Sequence, residues 1–196
     1  MNNLKVKIKE VKNLAKDWYK LDKVNFDYQL ENGTWQNQNR ECYDKGNGAA
    51  ILLYNPTKKT VILIKQFRMP TYLNGNKDGM LIEVCAGVLD KNDPMTCIKN
   101  EAIEETGYQI NNPKKILEIY SSPGAVTETL HYFIAEYTDD MKVTNGGGLT
   151  EETEEIEVLE LDFEKALAMI YTGEIQDAKT IILLQYAKIH NLITDL

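Results

Sequence analysis

The run EAIEETG, Glu101 to Gly107, and the segment leading into it from Gly87 constrain this chain more than any other stretch. Asp93 is a preferred N-cap residue, Pro94 suits the first helical position, and Gly107 suits the left-handed residue just past a helix end. A short helix is therefore predicted between a glycine-led loop and Gly107. Met95, Ile98 and Ala102 recur at spacings of three and four and face a core, leaving the opposite side to Glu101, Glu104 and Glu105. Side chains at i, i+3 and i+4 are neighbours, with Cβ atoms about 5–6 Å apart. Like charges so placed cost roughly 0.2–0.5 kcal/mol a pair. Glu104 and Glu105 also stand at the negative end of the helix dipole, where a cation is preferred.

Mg²⁺, or Mn²⁺ in its place, would balance this face, because hard cations take oxygen ligands, keep several waters and bind through a few carboxylates plus substrate phosphates. A solvated acidic helix end is the competing reading. The preceding glycine loop, the third carboxylate and the two helix-end signals favour the metal.

The 196 residues suffice for one well-buried domain with an appendage. A formal net charge of −8 disfavours a polyanion as partner, so binding of nucleic acid is excluded as the main task. Cys42, Cys85 and Cys97 form no zinc or redox motif and suit a reducing compartment. The opening residues MNNLKVKIKEVKNL lack an apolar signal core, and no run approaches the roughly 18 apolar residues of a membrane span. A cytoplasmic protein without membrane association is expected. Of only two histidines, His131 lies in an apolar run and reads as a packing residue, so acid–base chemistry falls to carboxylates.

Residues 1–45 read as an antiparallel β subdomain: KVKIKEV and KVNFDYQL alternate, ENG at 31–33 turns the chain, and TWQNQNRECYD returns. Three strands with so few large apolar residues bury no core alone and need a second surface. In residues 46–196, GAAILLYN and VILIKQF form an apolar hairpin, TYLNGNKDG a loop, and LIEVCAG a strand that runs into the glycine loop. After the short helix come strands KKILEIYSS and TLHYFIAEY, joined through PGAVTE. TNGGGLTEETEE follows, with three glycines and an acidic cluster that read as a mobile loop able to carry catalytic groups. EIEVLEL is the last strand. Asp162 caps a helix ending at Gly173, and DAKTIILLQYAKIHNL forms the final helix. Strands with helices around them argue α/β or α+β.

The segment Gly87 to Tyr108 resembles the Nudix box, G-x5-E-x7-R-E-U-x-E-E-x-G-U, at Gly87, Glu101, Glu104, Glu105 and Gly107, and loosely at Ala102 and Tyr108. It departs in being one residue shorter, with Asp93 for the first glutamate and Asn100 for the arginine. RECYDKGNGA, LIKQFR, IEVCAGVLD, SSPGAVTE, NGGG and TGEIQDAKT extend the resemblance to the nucleotide-sugar branch of the Nudix hydrolases over nearly the whole chain. That resemblance implies an α/β/α sandwich with a mixed sheet and Mg²⁺-dependent cleavage between a nucleoside monophosphate and a sugar phosphate. GDP-mannose is the first candidate substrate and ADP-ribose the alternative. From another class, a non-catalytic module that senses a nucleotide sugar would share the fold, though such modules usually lose box carboxylates.

By position, the resemblance gives the metal the backbone carbonyl of Ala86 and the side chains of Glu101 and Glu105, with Glu104 as further ligand or orienting group. Glu154 is assigned to the metal and Glu152 to the attacking water, a pair that an alignment slip leaves interchangeable. Substrate contacts fall on Arg40, Glu41, Arg68, Gly87, Glu128 and Lys179, and the two arginines suit phosphate because guanidinium presents a fork of donors. Trp18 stands where the family places an aromatic near the base, and burial in a subunit contact explains it equally. The family's habit and the under-cored N-terminal strands imply a homodimer with exchanged N-terminal strands.

Overall fold

The computed structural model describes residues 5–89, 92–149 and 154–193. They divide into two compact units, Met1–Asn47 with Tyr120–Thr129, and Gly48–Ile119 with Leu130–Leu196.

The first unit is a three-stranded antiparallel sheet in the order β1 (Val6–Lys16), β2 (Lys20–Gln29), β3 (Trp35–Asp44). Its second hairpin turns at the ENG triplet, where Gly33 takes φ 85°, a value open to glycine at little cost. Register slips in β1 skip Lys9 and Leu14. The first bulge lets Val6, Ile8 and Val11 lie opposite Tyr28, Phe26 and Val24, so one face carries an apolar stripe. Asn25 hydrogen-bonds Asn37 and Asn39 on the opposite face. Every residue of β1 is exposed, as the shortage of large apolar side chains foretells.

The second unit is built on a mixed sheet with path β10 (Glu157–Asp162), β5 (Thr60–Phe67), β4 (Gly48–Asn55), β9 (Thr129–Glu136), β8 (Lys114–Tyr120). Strand β4 pairs parallel with β9 and antiparallel with β5, and all eight of its residues are buried. That burial on both faces is what an uninterrupted apolar run such as GAAILLYN encodes. Ala50, Leu52 and Tyr54 face a core shared with α3 (Phe163–Thr172) and α4 (Ala178–Ile189). Ala49, Ile51 and Leu53 face the other core, against α2 (Pro94–Glu101) through Cys97 and Ile98. The result is the expected α/β/α sandwich. Asp162 and Asp177 cap α3 and α4 by accepting from Lys165 N–H and Thr180 N–H, and Gly173 ends α3 at φ 80°.

Two elements differ from the reading of the sequence. The loop after β5 opens with a short helix, α1 (Met69–Leu73), started by Pro70. The run LIEVCAG is two strands, β6 (Met80–Glu83) on β5 and β7 (Cys85–Val88) on β4. Val84 is the switch point, and its N–H donates to Thr180 Oγ1 at 2.8 Å instead of entering a ladder.

Candidate active site

Helix α2 starts where Asp93 accepts from Met95 N–H and Thr96 N–H at 3.0 and 3.1 Å. Ile98 and Ala102 are fully buried and Met95 packs against the same core, as their spacing requires. Residues Ala102–Thr106 then widen into a π-helical turn, which Gly107 closes at φ 83° while Tyr108 N–H reaches back to the Ala102 carbonyl at 3.3 Å. A π turn takes up an extra residue and shifts the following side chains around the axis. This corrects the expectation of three carboxylates on a face turned from the core: Glu101 and Glu104 are half-buried, but Glu105 is only 2% exposed.

The Glu105 carboxylate meets the start of β7, accepting from Ala86 N–H at 3.1 Å and bonding the Cys85 thiol. Burial, with the nearby charges of Glu101 and Glu154, outweighs those two bonds and raises its pKa to about 8. Burial first, and then Glu105, push the Cys85 thiol well above its ordinary value. Glu101 lies so close over Gly87 that a Cβ there would stand 1.8 Å from its Oε1. Glycine at 87 is thus needed for the carboxylate to approach the strand.

Among the described residues no group of three or more His, Cys, Asp or Glu side chains is arranged to hold an ion. The smaller donor set of Ala86 carbonyl, Glu101 and Glu105 fits a hard cation that keeps most of its waters. A carboxyl whose pKa is raised by burial first, and then by the charges of Glu101 and Glu154, has the chemistry of a site that a positive charge would balance. Glu152 lies outside the described residues.

Glu154 enters from the glycine run. Gly147 N–H and Gly148 N–H donate to the carbonyls of Glu105 and Glu104 at 2.9 and 3.1 Å, satisfying acceptors left over at the helix end. Gly146, Gly147 and Gly148 have φ of 67°, 111° and 78°, and a Cβ on Gly146 would lie 2.5 Å from the Glu105 carbonyl. The glycines read from the sequence as a sign of mobility therefore serve close approach to the box helix. Beyond them, Glu154 Oε2 accepts from Leu149 N–H at 3.4 Å, and Glu154 N–H donates to the Leu149 carbonyl.

Arg68 and Lys179 come together on a residue the sequence reading passed over. Glu83, at the end of β6 and 3% exposed, accepts from Arg68 Nε at 2.8 Å and from Lys179 Nζ at 2.5 Å. The available signal was an acid inside the apolar run LIEVCAG. Burial opposes the Lys179 charge, but the carboxylates of Glu83 and Asp177 prevail and hold its pKa above the ordinary value.

The remaining expected contacts lie in the first unit. Trp18 is 86% exposed at the β1–β2 turn. Arg40, exposed on β3, donates to the Asn39 carbonyl and to Gln38 Oε1, and its neighbour Glu41 is exposed opposite Lys23. Glu128 is buried and paired with Lys45. In the second unit, His131 is largely buried, as expected of a packing residue, with Nδ1 3.3 Å from Glu118 Oε2. Asn100, where the box has arginine, is exposed.

This sandwich and its carboxylate-bearing helix accord with the NUDIX domain family, which matches residues 44–183, and the chain belongs to the Nudix hydrolases. Enzymes of this family act on phosphorus anhydrides and generally use a divalent cation. Residues 5–43 match the family described as GDP-mannose pyrophosphatase NudK N-terminal domain. The GDP-mannose pyrophosphatase of Yersinia enterocolitica serotype O:8 is 56% identical over 192 residues, 97% of this chain and 100% of the relative. That of Salmonella typhimurium strain LT2 is 53% identical over 180 residues, 92% of this chain and 93% of the relative.

Proposed function

We propose that the chain hydrolyses the diphosphate of GDP-mannose, releasing GMP and mannose 1-phosphate, with Mg²⁺ as the cation. The observation that carries the hydrolytic reading is the buried Glu105 carboxylate, held on Ala86 N–H with Glu101 and Glu154 close enough to raise its pKa. The substrate follows from relatives of that name aligned over nearly the full length of both chains.

Ala86 through its carbonyl, Glu101 and Glu105 would hold the cation, with Glu154 as a further ligand and Glu104 as ligand or orienting group. When bound, the cation neutralises charge on the diphosphate and lowers the pKa of the attacking water. Glu152 would serve as the general base toward the attacking water. Arg68 and Lys179 present donors to phosphate oxygens, and Gly87 lets substrate and Glu101 approach the strand. Trp18, Arg40, Glu41 and Glu128 contribute contacts to base and sugar.

The same proposal includes a homodimer with exchanged N-terminal strands, supported by the exposed stripe of Val6, Ile8 and Val11. It also places the protein in the cytoplasm, where the free thiols of Cys42, Cys85 and Cys97 are stable. Among the described residues no helix is long and apolar enough to cross a membrane.

Product release from GDP-mannose, ADP-ribose, GDP-glucose and a nucleoside triphosphate, with Mg²⁺ and with chelator, tests the reading. GDP-mannose should turn over fastest, chelator should abolish turnover, and Glu101→Gln should lower it about 100-fold or more. Fastest turnover of ADP-ribose would change the substrate but keep the mechanism. Binding of a nucleotide sugar without turnover would make the chain a sensor.

A further inference from the structure

Glu83 is a poor choice for a residue whose only task is to fill a core. It is 3% exposed at the end of β6, beside Val84, where the chain leaves β5 for β4. A carboxylate so placed persists only when paired. Its two oxygens go to different cations: Oε2 accepts from Arg68 Nε at 2.8 Å and Oε1 from Lys179 Nζ at 2.5 Å. Asp177 Oδ1 takes a second proton of Lys179 at 2.9 Å. Arg68 stands just past β5 and Lys179 in the first turn of α4, so Glu83 ties together elements far apart in sequence.

The manner of pairing shows what is left over. An arginine serving only as an ion-pair partner commonly offers a carboxylate two parallel N–H bonds. Arg68 is engaged side-on through Nε alone. No hydrogen bond joins its Nη1 or Nη2 to another described residue, and its side chain is 39% exposed. The paired Nε fixes the plane of the guanidinium and leaves its outer donors available to a ligand. Lys179 keeps one of its three protons uncommitted among the described residues. Glu83 and Ala86 are three positions apart, at most about 10 Å along extended chain, which a nucleotide diphosphate with its sugar spans.

We propose that Glu83 is a positioning residue: its buried carboxylate sets the Arg68 guanidinium and the Lys179 ammonium as one clamp for the diphosphate of the substrate. The inference rests on the hydrolytic reading above and adds a residue that touches neither substrate nor cation. It acts through the two cations, so its loss weakens diphosphate binding and leaves cation binding intact.

The test compares the native protein with Glu83→Gln, Glu83→Asp, Arg68→Ala/Lys179→Ala and the triple variant. KM and kcat for GDP-mannose, half-saturation by Mg²⁺, melting temperature and the dissociation constant of inorganic pyrophosphate are measured. Glu83→Gln should raise KM and weaken pyrophosphate about tenfold, the worth of one charge-assisted hydrogen bond, with kcat and Mg²⁺ half-saturation little changed. Glu83→Asp should recover part of the affinity, and the triple variant should bind no worse than Arg68→Ala/Lys179→Ala. Unchanged KM and pyrophosphate affinity in Glu83→Gln would overturn the proposal, as would a full further loss in the triple variant. If Glu83→Gln does not fold, Glu83→Asp decides by the same two readouts. If the native chain turns over no nucleotide sugar, the functional reading fails, while the pyrophosphate constant still decides the role of Glu83.

Discussion

A carboxyl group with a pKa of about 8 is neutral at pH 7, and Glu105 is in that state when the protein is free of metal. In the unfolded chain it ionises near the ordinary glutamate value of 4.5, so between 4.5 and about 8 the native state binds one more proton. Stability falls with rising pH wherever the native state holds the extra proton. The melting temperature of the metal-free protein should therefore drop as pH rises from 5 to 8.5, and Glu105→Gln should flatten that dependence. Mg²⁺ should also flatten it, and its binding near pH 7 should release a proton, which calorimetry in buffers of different ionisation enthalpy detects. The identity of Glu105 was legible from its spacing within EAIEETG, but its burial was not. Helical spacing rules assume 3.6 residues per turn, and the π turn over Ala102–Thr106 breaks that assumption. Glu83 was missed because its partners, Arg68 and Lys179, are brought to it only by the tertiary fold.

The glycine run is tied to the helix it serves through backbone groups alone. Gly147 and Gly148 donate to carbonyls of the π turn, and Gly146 lies against the carbonyl of Glu105. An alanine at 146 would bring its Cβ 2.5 Å from that carbonyl at φ 67° and must push the run off the helix end. Gly146→Ala should cost about 1–3 kcal/mol of stability by denaturant unfolding and lower kcat by more than Gly124→Ala. Gly124 has open space at the Cβ position, and equal effects of the two substitutions would show that the close approach has no catalytic consequence. Most elements followed from local signals: caps at Asp93 and Asp162, stops at Gly107 and Gly173, and the buried run of β4. LIEVCAG was read as one strand because nothing local marks Val84 as the place where pairing changes from β5 to β4. That switch is specified by Thr180 in α4, about a hundred residues on, which accepts the Val84 N–H.

An apolar stripe on one side of a three-stranded sheet makes a testable claim about assembly. Val6, Ile8 and Val11 are 44%, 66% and 53% exposed, and their cross-strand neighbours Tyr28, Phe26 and Val24 continue the stripe. Isolated exposed apolar side chains are ordinary, whereas an ordered row of them marks a surface that is covered in the working molecule. A stable interface buries about 800 Å² on each partner. Each chain carries a net charge of −8, so two copies repel at long range and association should tighten as salt screens that repulsion. Sedimentation at micromolar concentration should give twice the chain mass of 22.4 kDa for the native protein. Ile8→Glu/Val11→Glu should sediment as single chains, because it sets like charges against each other in the contact while leaving the second unit's core untouched. If exchanged strands also complete the substrate site, activity per chain should fall with dissociation, both in that variant and on dilution of the native protein. A native protein of single-chain mass would overturn the assembly, and loss of the dimer at constant activity would separate assembly from catalysis.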